Sequence, residues 1–307
     1  MSWQEGARRI RKVLPARPTI EGAGVHLKRA FGFAQVPGFD PFLLLDDFRS
    51  NNPAEYLAGF PWHPHRGIET ITYVLGGSVE HCDSMGNSGT IHAGDVQWMT
   101  AGSGIIHQEM PKGNSRGMLC GFQLWANLPA RLKMTEPRYR GVEKTGIPVT
   151  GAGDGIEVRV IAGEMNGIRG PVRDIAINPS YLDVSVPAGA AFTHKIPAGH
   201  TAFAYVVTGE GRFDQGEDPF AYEVEGNNYF EQDLGPGIDA EHLVLYGDGD
   251  RVTVRAGQNG VRFLLVSGQP IGEPVAWYGP IVMNTRDELR TAFEELRNGS
   301  FVKYKGG

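Results

Sequence analysis

The chain is poor in cysteine, in long apolar runs and in surplus positive charge. Cys82 and Cys120 are the only cysteines among 307 residues. They form no C-x-x-C pair, and two cysteines make no disulfide framework. Both read as buried, unreactive thiols. No apolar stretch approaches the ~18 residues that a membrane-spanning helix needs. The opening run MSWQEGARRIRKVLPARPTI has charges but no apolar signal region. A cytoplasmic protein that makes no membrane contact is expected. The formal net charge is −6. Direct nucleic-acid binding is therefore not expected, because such proteins displace counterions with basic surfaces. The cluster Arg8, Arg9, Arg11 and Lys12 is short and reads as a solvated N-terminal segment.

Glycine and proline are abundant instead. The 43 Gly and 20 Pro make about a fifth of the chain, against an average near 12%. Turns must be frequent and strands short. Apolar residues make up 41%, enough for a real core, and the length suits two domains of roughly 150 residues. A unit also recurs. TYVLGGSVE at 72–80 and GDVQWMTAG at 94–102 are echoed by AYVVTGEGR at 204–212 and GDRVTVRAG at 249–257. On this alignment the second copy carries an insertion around 213–239, acidic and turn-rich, that reads as a surface excursion. The expected fold is all-β: two tandem antiparallel sandwiches or barrels, at 1–145 and 146–307, with TGIPVTGAGDG at 145–155 as linker. Strand IEVRVIAG at 156–163 opens the second half. One helix is predicted near the C-terminus. Thr285 and Glu288 form a capping box, Leu289, Phe293 and Leu296 follow at helical spacing, and Asn298-Gly299 ends it. NLPARLKM at 127–134 is read as a further short helix.

Two short pairs carry the chemistry. His63 and His65 lie in FPWHPHRG, and His107 and Glu109 lie in GIIHQEM. The spacing i, i+2 puts both members of a pair on one face of a strand. Two neighbouring strands would then surround one ion with three imidazoles and a carboxylate. That set suits a first-row metal and leaves open positions on a metal that prefers six ligands. The second copy lacks the set: SGIIHQEM follows Ala101-Gly102, whereas QNGVRFLLV follows Ala256-Gly257. His194 and His200, six residues apart, read as ordinary polar residues. The scaffold alone does not demand the ligands, so their presence in one copy argues for a role beyond folding. Glu69 shares the parity of His65. On an extended strand it would sit about 13 Å away, but a turn at Arg66-Gly67 would bring it back. Spacing leaves Glu69 and Glu109 both open as the carboxylate.

The run HPHRGIETITYVLGG resembles the first cupin motif. More narrowly, FPWHPHRGIETITYVLGG, GDVQWMTAGSGIIHQEMP, FQLWANLPARLKM and GPIVMNTRDEL resemble the pirin family over roughly residues 20–300. The resemblance implies a bicupin whose N-terminal half holds one mononuclear divalent metal on His63, His65, His107 and Glu109, with Glu69 beside it as a second-layer group. Iron(II) is the implied metal, with manganese, nickel, copper or zinc as alternatives. The implied activity is that of a quercetin 2,3-dioxygenase, which opens a flavonol ring with dioxygen and releases carbon monoxide. Glu109 would be the catalytic base for the flavonol 3-hydroxyl. Trp98, Met99, Phe122, Leu124 and Trp125 are the candidate walls of a pocket for a flat aromatic substrate, and Trp62 is placed to shape its mouth. The alternative implied by eukaryotic pirins is a redox-sensing iron protein that regulates transcription through a protein partner. A metal-stabilised binding module or sugar-type isomerase is a third reading, since cupins host many functions.

Overall fold

The structure, a computed structural model, describes residues 6–36, 38–213, 222–225 and 237–304. Strands dominate it, and one α-helix, α1 (Arg286–Arg297), is found among the described residues. No helix there is long and apolar enough to cross a membrane. The chain divides into two compact units, 17–146 with 271–307 and 1–16 with 147–270. The expected halves kept each end with its sequence neighbours; instead the ends cross over. Pairing explains why. β1 (Ile10–Pro15) is antiparallel to strand His242–Tyr246, with Val13 opposite Val244. At the other end, Ile281 bridges to Arg66. The basic N-terminal cluster is corrected in the same way. Arg8 is buried and donates to the carbonyls of His200, Gly247 and Pro197 at 2.8–3.0 Å.

The unit 17–146 with 271–307 contains β2 (Arg17–Glu21), β3 (Val25–Phe31), β4 (Phe42–Asp47), β5 (Phe60–His65), β6 (Ile68–Gly76), β7 (Ser78–Asp83), β8 (Ser88–His92), β9 (Val96–Thr100), β10 (Ile105–Lys112), β11 (Cys120–Asn127) and β12 (Arg138–Val142). They form a seven-stranded sheet, β12-β9-β6-β11-β4-β3-β2, and a four-stranded sheet, β5-β10-β7-β8. Val25 and Leu27 of the larger sheet pack against Val79 and Ile91 of the smaller, each such burial stabilising by roughly 1.5–3 kcal/mol. This is a cupin sandwich. Cys82 and Cys120 are half-buried rather than buried. The 127–134 run makes a 3-10 turn at Ala130–Leu132, too short for the helix expected there. α1 forms as predicted: Thr285 Oγ1 accepts from Glu288 N at 3.2 Å, and Glu288 Oε2 accepts from Thr285 N at 2.8 Å. Its Leu289, Phe293 and Leu296 pack on Ile281, Met283 and Phe301.

The other unit holds a ten-stranded sheet over an apolar core that includes Phe192, Val206, Phe213, Val254 and Phe263. Strand pairing corrects the expected alignment of the repeat. β9 pairs with β6, but residues from Arg251 pair with Ala191–Lys195, as β10 pairs with β5. The strand that pairs with the Tyr205 strand as β9 does with β6 is His242–Tyr246. Gly-Asp and Ala-Gly mark turns, and turns recur before more than one strand of such a fold. Most of the 213–239 excursion lies outside the described residues.

Candidate metal centre

β5 and β10 are antiparallel neighbours, with His63 directly opposite His107 and His65 opposite Ile105. Their inward residues therefore converge. Ligand nitrogens of His63, His65 and His107 all lie within 4.8 Å of one another. Gly67 ends the strand with φ +78°, and a Cβ there would collide with the carbonyl of Val282, so only glycine lets the 281–283 strand close on the ligand loop. Lys133 Nζ ties the same junction, donating to the carbonyls of Gly67 and Val282 at 2.9 Å each and to Asn127 Oδ1 at 2.7 Å.

The hydrogen bonding of the imidazoles tests whether a cation fits. His63 Nδ1 faces the Pro61 carbonyl at 2.8 Å and His65 Nδ1 faces the Pro280 carbonyl at 3.2 Å. Carbonyls only accept, so each Nδ1 carries the hydrogen and each Nε2 is a bare lone pair. Those two Nε2 atoms stand 3.1 Å apart. Both ring nitrogens of His107 are buried without a protein partner. Burial pushes the pKa of all three down, and the neighbouring imidazoles add to this for His65 and His107. Neutral imidazoles converging through unsatisfied lone pairs are the state that binds metal. The cluster can hold a metal ion.

Glu109 lies outside that three-residue cluster. A bulge separates it from His107 in the β5 pairing, and its Oε1 meets Thr72 Oγ1 at 3.0 Å. Thr72 has one hydrogen, yet its Oγ1 also meets Gln123 Oε1 at 2.9 Å. A protonated Glu109 donating to Thr72, which donates to Gln123, satisfies all three. Burial raises the Glu109 pKa to about 7. Glu69 is engaged elsewhere: Trp98 Nε1 and Thr100 Oγ1 donate to its two oxygens at 3.1 and 2.8 Å. Neither partner belongs to the histidine cluster, so those contacts are structural.

His63, His65 and Glu109 open into a cavity of about 770 Å³ walled by Phe60, Trp125 and Trp277. Of the expected wall residues only Trp125 is there. Gln123 and Trp125 face the cavity, so Phe122 and Leu124, one step out of phase on β11, are buried on the opposite face. Trp98 shares the face of Glu69, and Met99 packs in a cluster with Leu43, Ile68 and Val282. Trp62 is 53% exposed and is not among the residues that line the cavity. Sequence reasoning missed Trp277, whose ring centroid lies 6.0 Å from that of Trp125, and Arg29, held bidentate on Asp46 at 2.7–2.8 Å. No local spacing signals either, because both reach the cavity through tertiary closure.

The family models extend this geometry. The pirin model matches residues 24–126, and the pirin C-terminal cupin domain model matches 181–302. A pirin-like protein of Caulobacter vibrioides is 42% identical over 96% of this chain and 99% of its own. The chain belongs to the pirin family. Human pirin is 38% identical over 92% of this chain and 90% of its own. Among solved structures, a quercetin 2,3-dioxygenase of Acinetobacter baumannii superposes with a TM-score of 0.82 at 30% identity, covering 96% of this pirin-family chain and 98% of that one.

Proposed function

We propose that this chain is a metal-dependent dioxygenase acting on a flat, flavonol-like substrate. The observation that carries the reading is the meeting of the histidine cluster with an aromatic-walled cavity of about 770 Å³, a volume within the range of small-molecule sites. The likeness to the Acinetobacter enzyme supports it. His63, His65 and His107 would hold one divalent metal, iron(II) by preference, and Glu109 is assigned as its fourth ligand. When bound, the metal supplies Lewis acidity and a common template for both substrates.

The chain's own residues do the rest. Trp125 and Trp277, tilted 39° to each other with centroids 6.0 Å apart, flank a planar ring and exclude water from it. Glu109 accepts the flavonol 3-hydroxyl proton, a role open to a carboxylate that lines the cavity beside the histidine cluster. Thr72, itself bonded to Gln123, holds that carboxyl. Dioxygen consumption with quercetin tests the reading on iron(II)-loaded protein beside His63→Ala and Glu109→Gln. Turnover with carbon monoxide release, lost in both variants, is expected. Metal-loaded protein that leaves quercetin intact under dioxygen would end it.

A further inference from the structure

The polar residues on the wall of the metal-centre cavity are not scattered. Across the seven-stranded sheet, Gln97, Thr72, Gln123, Asp46 and Arg29 are successive register partners on β9, β6, β11, β4 and β3. Residues directly opposite each other share a face, so the five make one polar row across the sheet. Gln123, Asp46 and Arg29 line the cavity, and Thr72 meets Glu109. Three strand spacings separate Thr72 from Arg29, roughly 14 Å. That span suits a planar molecule of three six-membered rings.

The far end of the row is a fixed group. Arg29 donates through Nε and Nη2 to the two oxygens of Asp46 at 2.8 and 2.7 Å, and its Nη1 meets Glu21 Oε1 at 2.9 Å. Burial pushes the Asp46 pKa up, and the guanidinium bonded to both oxygens opposes this and favours the carboxylate. Glu21 lines the cavity as well. The Asp46 side chain is only 7% exposed, but that of Arg29 is 27% and that of Glu21 43% exposed, so a ligand reaches the last two. The three bonds occupy one hydrogen on each guanidinium nitrogen, and Nη1 and Nη2 each carry a second. A phenolic hydroxyl matches the pair, because it accepts from Arg29 and donates to Glu21. One guanidinium against two carboxylates leaves no positive charge to attract an anion.

We propose that Arg29 and Glu21 are specificity-determining residues, anchored by Asp46, that select a planar substrate carrying a neutral hydroxyl on the ring farthest from Glu109. This selection requires the reacting hydroxyl to lie at Glu109, and so rests on the dioxygenase reading. A flavonol with further ring hydroxyls satisfies the pair. A flavonol whose only hydroxyl is the reacting one sets an apolar ring edge against it and leaves its hydrogen bonds unmade.

Binding rather than turnover tests this. Quenching of tryptophan fluorescence under argon compares quercetin with 3-hydroxyflavone, which keeps only the reacting hydroxyl. On the metal-loaded full chain quercetin should bind about tenfold or more tightly, as a hydrogen bond to a charged partner gives. The preference should persist in metal-free protein, which separates it from chelation of the metal by the quercetin catechol. It should shrink to near equality in Arg29→Lys and about threefold in Glu21→Gln, both checked for native circular dichroism. Glu21 is exposed, so its variant carries little folding risk. Quercetin bearing a ring sulfonate should bind more weakly than quercetin. Equal affinities in wild type, a preference confined to metal-loaded protein or undiminished in either variant, or tighter binding of the sulfonate would each overturn the proposal. Protein that shows the preference yet leaves quercetin intact under dioxygen would end the dioxygenase reading alone. Turnover of both flavonols without preference would end the selection alone, and absence of binding would end both.

Discussion

The two units put opposite contents into the same strand pair. In one, β5 and β10 set His63 across from His107, with His65 two residues on. In the other, the matching pair sets Phe192 across from Val254 and His194 across from Val252. Phe192, Val252 and Val254 are fully buried in an apolar core, and His194 turns its Nδ1 to the sulfur of Met165 at 3.2 Å. A cupin pair is thus stable with hydrocarbon inside. The imidazoles replace good packing with unpaired nitrogens, a local cost of the kind that functional sites impose on a fold.

The sharpest way to break the contrast is His107→Leu, which gives the first unit the contents of the second. Metal affinity should fall by about 100-fold or more, since even neighbours of metal ligands cost 10–100-fold; metal content after dialysis reads it. The mirror experiment is Phe192→Ala in the second unit. It should lower stability to urea by about 3–5 kcal/mol, the usual result of truncating a buried phenyl ring, while folded protein keeps its full metal content.

Glu109 sharpens the comparison through pH. Its pKa in the metal-free fold is raised to about 7 by burial, above the ordinary carboxyl value near 4.3. Between those values the folded state keeps a proton that the unfolded chain has released, so stability falls as pH rises. The histidines, lowered by burial, act in the opposite sense below pH ~6.5. The difference between wild type and Glu109→Gln isolates the carboxyl. Wild type should lose about 3 kcal/mol relative to the variant from pH 4.5 to 8, read by urea unfolding of metal-free protein; parallel curves would refute this. The smallest expected effect belongs to His107→Leu again. Without metal it should be more stable than wild type by about 1–2 kcal/mol, because two buried unpartnered nitrogens are removed.

Much of this was legible in the sequence. His-x-His and the histidine of His-x-Glu at strand parity pointed to the two neighbouring strands that bring His63, His65 and His107 together, and the Thr285 and Glu288 capping box identified α1, because both signals are local. The cavity wall was not legible. Apolar residues on β9 and β11 look alike whichever way they face, and only the pairing register separates Trp125 from Phe122 and Leu124. Trp277 and the exchange of chain ends depend on contacts between distant residues. The repeat was visible but aligned on turn residues, which led to the wrong strand as the counterpart of β9.

The crossing of the chain ends has a consequence for biosynthesis. The carbonyl that fixes the His65 tautomer belongs to Pro280, 215 residues further along the chain. Arg66, next to it, donates to the Phe301 carbonyl at 2.9 Å and pairs with Glu295 of α1 at 2.7 Å. At a synthesis rate of about 5–20 residues per second, the ligand strand waits at least ten seconds or so for its clamp. The histidine cluster at 63–107 therefore gains its surrounding contacts only after the whole 147–270 segment of the other unit has been made.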